Sequence, residues 1–191
     1  MTITVSLTRP GFASIVTGVG ACVVDALDQT PAGAPCRQCL LVPTSQIPWD
    51  NCGPCEGECS GQVALAIRSV YGSDTFPANA STLNWATKRC TPRYAVADVL
   101  LSITRCLPSV SEDGAPPSCD AELAAALTLE DDRTAARQAV ACCLDQIHSA
   151  SPARLSAFSI GAANTYPEQG GCGGIEMSFL LGVLLGCPCD D

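Results

Sequence analysis

Apolar and polar positions alternate with period two along Tyr94–Arg105. Ala95, Ala97, Val99, Leu101 and Ile103 fall on one side, while Asp98, Ser102 and Thr104 share the other with Val96 and Leu100. The pattern predicts a β-strand with one face fully buried and the other partly covered. Cys106-Leu-Pro108 closes it, and Glu112–Pro117 is a turn cluster leading out to a helical segment. A strand of this kind needs a neighbour on each edge and a helix over its apolar face.

The rest of the chain supplies those pieces. Met1–Thr8 alternates like a short strand or extended arm, and Pro10-Gly11 breaks it. Phe12–Leu27 then reads as a helix with Ile15, Val19, Cys22, Val23 and Ala26 on one stripe. Gly18, Gly20 and Ala21 would let another backbone approach it closely. Leu40–Val42 predicts a short strand, with Ile47–Trp49 as its return, and Gln62–Tyr71 a second strand with Val63, Leu65 and Ile67 on one face. Thr82–Arg89 reads as a short helix or irregular crossing.

Downstream of the turn cluster, Ala121–Leu127 predicts a short helix capped by Ser118 or Asp120. Thr128-x-x-Asp131 resembles a capping box opening a separate main helix, with Glu130, Asp131 and Asp132 at its positive end. Leu129, Ala136, Val140, Cys143, Leu144 and Ile147 form the stripe of that helix, and Arg133 and Arg137 face water. Leu155–Ala163 reads as a strand, Asn164–Gly174 as a flexible turn, and the alternation of Ile175 through Leu185 as the strongest strand in the chain. The expected architecture is α+β: a mainly antiparallel or mixed β-sheet packed by an N-terminal helix and one long helix. It forms a single domain over 1–191, with an N-terminal arm (1–10) and a Cys-rich hairpin region (36–59).

Composition narrows the function classes. With 47% hydrophobic residues over 191, the chain can bury a substantial core. A formal charge of −9, with nine scattered arginines and the single lysine Lys88, argues against a general nucleic-acid binder. Val19-Gly-Ala-Cys22 looks like a lipoprotein cleavage site, but Arg9 alone supplies charge ahead of it and Pro10-Gly11 interrupts the approach. No apolar run reaches the roughly 20 residues of a transmembrane helix.

Fourteen cysteines raise two chemistries. Cys36-x-x-Cys39 and Cys52-x-x-Cys55 have the two-knuckle spacing of a tetrahedral zinc site, the possible cofactor of this chain. The alternatives are disulfides in an oxidising medium, or thiols packed as small hydrophobes. Trp49–Cys55 resembles a thioredoxin motif, but the next element is a strand, and Glu56 and Glu58 would raise the thiol pKa values. His148, the only histidine, sits at a helix C-terminus, where a cation is sufficient explanation. Gly170–Gly174 precedes a strand, so it lacks the helix N-terminus that binds phosphate. The sequence offers no catalytic residues and no enzyme.

Several short motifs together resemble the tail-terminator and neck proteins of long-tailed phages of high-GC actinobacteria. They are Trp49-Asp-x-Cys52, Cys59-x-Gly61-Gln62-Val63, Tyr71-x-Ser-x-x-Phe-Pro77, Arg105-Cys106-Leu-Pro108, Glu112–Pro117, the helix from Asp131 to Cys142, and Gly170–Gly174. They cover roughly residues 45–189. Cys36 and Cys39 are not part of that pattern. The resemblance implies a virion protein of the tail or neck, assembled in the host cytoplasm as a homo-oligomeric ring, typically six-fold. Such a ring caps the tail tube and joins it to the neck. Its partners would be the major tail tube protein, a neck or head-closure protein, and viral DNA passing through without sequence-specific binding. Six copies at −9 each would make an acidic channel along which DNA slides. The alternatives are a head-closure or connector role in the same neck, or a cysteine-rich zinc-binding module.

Overall fold

The computed structural model describes residues 11–43, 47, 61–78, 94–111, 113–169 and 171–184. In chain order the elements are α1 (Phe12–Leu27), β1 (Arg37–Val42), β2 (Gln62–Ser73), β3 (Tyr94–Cys106), α2 (Cys119–Ala150), β4 (Ala157–Gln169) and β5 (Cys172–Leu184). The strands form one sheet in the order β1-β2-β3-β5-β4. β1 runs parallel to β2, and every other pair is antiparallel. The α+β architecture expected from the sequence is the one observed: a mixed sheet with the N-terminal helix and one long helix packed on it.

β3 is the axis of this sheet, paired with β2 along one edge and β5 along the other. β3 and β5 are each 13 residues long and pair from Tyr94↔Leu184 to Cys106↔Cys172 without a register shift. Register matters because a slip of one residue would turn every apolar side chain to the wrong face. Here Ala97, Val99, Leu101 and Ile103 stand opposite Leu181, Phe179, Met177 and Ile175. All eight are buried.

α1 covers that face because Ile15, Val19, Val23 and Leu27 recur every four residues, and all four are fully buried. Each such side chain contributes roughly 1.5–3 kcal/mol on burial. Gly20 admits the close approach: a Cβ there would lie 3.0 Å from both Leu40 Cδ2 and Leu65 Cδ1. α2 adds Ala136, Val140, Cys143 and Leu144 to the same core. On the opposite face of the sheet, Ala64, Ala66 and Leu100 form a smaller cluster with Ile47, Cys39 and Val42.

Two expectations are corrected. No break separates a short helix at Ala121–Leu127 from a main one: α2 is a single helix of 32 residues. Neither proline nor glycine interrupts it, and Thr128 does not cap but donates its Oγ1–H back to Ala124 O at 3.1 Å. The true cap is Ser118, whose Oγ accepts from Ala121 N at 3.2 Å. Nor is Asn164–Gly174 a flexible turn. β4 continues to Gln169 and β5 begins at Cys172, with Gly171 before it at φ +79°.

Gly174 is a strand residue for a reason unrelated to turning. A Cβ there would fall 1.9 Å from Ile103 O and 2.8 Å from the Tyr166 hydroxyl, so only glycine fits. β1 extends back to Arg37 and pairs in parallel with β2. The expected return strand lies, apart from Ile47, outside the described residues. So do the N-terminal arm and the short helix or irregular crossing expected at 82–89.

Candidate functional site

β3 carries its apolar alternation one step too far. Arg105 continues the series Ala97, Val99, Leu101, Ile103 on the face turned toward the helices, and it is 6% exposed. A guanidinium in that position requires a carboxylate. Asp132 of α2 provides it, continuing the helix stripe Ala136, Val140, Cys143 in the N-terminal direction, and is fully buried. The pair is bidentate, with Arg105 Nε 2.7 Å from Asp132 Oδ2 and Nη2 2.9 Å from Oδ1. Nη2 also donates to Gly33 O at 2.7 Å. One arginine therefore ties the end of β3 to α2 and to the turn between α1 and β1. Asp132 is not the helix-terminal acid expected from the sequence, because the helix begins 13 residues earlier.

The opposite face carries a polar row. Gln62, Thr104, Gly174 and Tyr166 are cross-strand neighbours on β2, β3, β5 and β4. The hydroxyls of Thr104 and Tyr166 are 2.7 Å apart, and both residues are buried. Burial pushes the Tyr166 phenol above its ordinary pKa, against the hydrogen bond with Thr104. Gly174 leaves the space into which that phenol reaches.

The cysteines divide into bonded and free. Cys22 of α1 and Cys143 of α2 form a disulfide across the helix pair. Cys36, Cys106 and Cys172 are disulfide-bonded as well, whereas Cys39, Cys119 and Cys142 are free thiols. Of the four cysteines in the zinc pattern, Cys36 is thus oxidised and Cys39 packs against the smaller cluster. Cys52 and Cys55 lie outside the described residues. Among the described residues no group of three or more His, Cys, Asp or Glu side chains gathers as a metal site.

His148 occupies the last turn of α2, as expected. Its Nδ1 lies 2.9 Å from Leu155 O and its ring meets Phe158 edge-on, which fastens the turn into β4. The Tyr71–Pro77 motif closes a local loop: the Tyr71 hydroxyl donates to Pro77 O at 3.0 Å, and Phe76 packs edge-to-face on Tyr94. Arg133 pairs with Glu130, while exposed Arg137 donates to Gly161 O at 2.8 Å.

What remains is surface. Among the described residues, β1 and β4 are each hydrogen-bonded on one side only. β1 spans only the first half of β2, and Val70 beyond it is 57% exposed. Leu123 and Leu127 stand 59% and 58% exposed on α2. A groove of about 630 Å³ runs between α2 and β4 past Arg133, Arg137, Ala141, Ala162 and Ala163. An uncharged cleft of about 440 Å³ lies between α1 and α2 beside the disulfide, lined by Gln29, Gln138 and Gln146 among others. No protein-family model and no curated protein matches the chain. No helix among the described residues is long and apolar enough to cross a membrane.

Proposed function

We propose that this chain is a structural virion protein: a tail terminator that assembles as a ring at the head-proximal end of a phage tail tube and joins it to the neck. The motifs quoted above suggest that role, and the observation that carries it is the sheet's pair of one-sided borders. Among the described residues, β1 and β4 each pair with another strand along one side only, and such borders are where a neighbouring copy can add to a sheet. Pro167 and two register shifts blunt β4 against indiscriminate strand pairing. The disulfides fit a particle that works outside the cell, where oxidised cysteines persist. Assembly, not catalysis, is the activity on this reading, and the acidic chain lets DNA pass without adhering.

The test is tube termination. Added to polymerising major tail tube protein from the same phage, the chain should shorten the tubes and leave extra density at one end in negative stain. An unchanged length distribution with bare ends would overturn the role.

A further inference from the structure

The first three turns of α2 contain no buried residue, because the helix begins well before the core reaches it at Asp132. Asp120, Leu123, Leu127 and Asp131 recur at spacings of three, four and four residues and so lie on one stripe. Four of the five buried positions of α2, Asp132, Ala136, Val140 and Cys143, lie on the other side of the helix, and the fifth is Leu144. A leucine pair with an acid at each end is thus held away from the sheet. Asp120 and Asp131 have no ion-pair partner among the described residues.

The groove between α2 and β4 has the complementary character. Its floor is alanine (Ala141, Ala162, Ala163) and its wall carries Arg133 and Arg137, with Glu130 at the end nearer Leu127. Arg133 is balanced by Glu130, but Arg137 reaches only a backbone carbonyl, and its charge is unmatched among the described residues. The leucines and the groove wall lie on one continuous helix, so no molecule can bend its own leucines into its own groove. A second copy can.

We propose that Leu123 and Leu127 of one copy dock into the Arg137–Ala141–Ala162 groove of the next, with Asp120 or Asp131 meeting Arg137. The two halves are different surfaces, so the contact is head-to-tail and propagates beyond two copies. It rests on the ring reading and names the interface within it. Both halves are exposed, so substitutions there leave the core alone.

The experiment compares four samples of the full, oxidised chain by light scattering after size exclusion: wild type, Leu123→Lys/Leu127→Lys, Arg137→Glu/Ala162→Glu, and a 1:1 mixture of the two variants. Wild type should form species larger than a dimer. Each variant should need about tenfold more protein, or worse, to associate. The mixture should give a 1:1 dimer, because each variant keeps the half the other has lost. Variants that assemble like wild type would overturn this interface and leave the ring itself standing. A wild type that stops at two copies, or a mixture that stays monomeric, would overturn the head-to-tail pairing. A wild type monomeric at every concentration would overturn both readings.

Discussion

Asp132→Asn removes one charge from the interior and leaves the shape of the side chain intact. In the native protein the carboxylate takes two hydrogen bonds from Arg105, at 2.7 and 2.9 Å, with Asp132 wholly buried and Arg105 6% exposed. Asparagine can accept at one oxygen only, and its amide hydrogens would face the guanidinium. Arg105 then stays buried with its charge uncompensated. Breaking such a pair from one side costs about 3–5 kcal/mol. For a chain of this size each kcal/mol moves Tm by about 2–4 °C, so the variant should melt roughly 10 °C lower. Urea unfolding followed by circular dichroism measures the loss directly, provided the slope is unchanged. Arg105→Met/Asp132→Leu should recover most of it, since replacing both charges with apolar side chains is often neutral or stabilising. A single variant within about 1 kcal/mol of wild type would refute the reasoning, because the pair would then behave like an exposed one.

Non-reducing peptide mapping should find Cys22 linked to Cys143, and Cys22→Ala/Cys143→Ala should lose about 2–5 kcal/mol, as expected for a bridge spanning 121 residues. Gly174→Ala should cost at least the roughly 1–3 kcal/mol of overpacking, since its Cβ would meet Ile103 O at 1.9 Å. Gly171→Ala, with open space but φ +79°, should cost only about 1–2 kcal/mol by the same urea assay. The phenol of Tyr166 is held above its ordinary pKa of about 10, so its contribution is complete below pH 10 and is lost as pH rises through the higher folded value. Tyr166→Phe should flatten that alkaline loss of stability in melts recorded from pH 8 to 12, and at neutral pH should cost about 1–3 kcal/mol by leaving Thr104 without its partner.

Much of this fold was legible in the pattern. The alternation of β3 and β5 and the four-residue recurrence in α1 each fix one face, and the structure buries that face. The errors share a cause: residue types with a strong local meaning were serving a tertiary one. Gly174 suggested a turn, but its lack of a Cβ is needed where the Ile103 carbonyl and Tyr166 hydroxyl press against the strand. Thr128 and Asp132 suggested a helix start, but α2 begins at Cys119 and Asp132 answers Arg105 across the core. That ion pair left a signal: opposite charges continue the apolar stripe of β3 and the apolar stripe of α2. The disulfide left a weaker one, since Cys22 and Cys143 both lie on stripes expected to be buried. The exposed side of α2 could not be read in advance. Leu123 and Leu127 look like any core pair until the rest of the helix shows which way the core lies.

The central claim is that identical copies of this chain complete one another as a closed ring. Electron microscopy of the purified, oxidised protein, with particle mass checked by native mass spectrometry, tests it most directly. A closed ring gives annular particles of one discrete copy number around an open centre. Particles with the mass of a single chain at every concentration, or ladders without a preferred size, would contradict it.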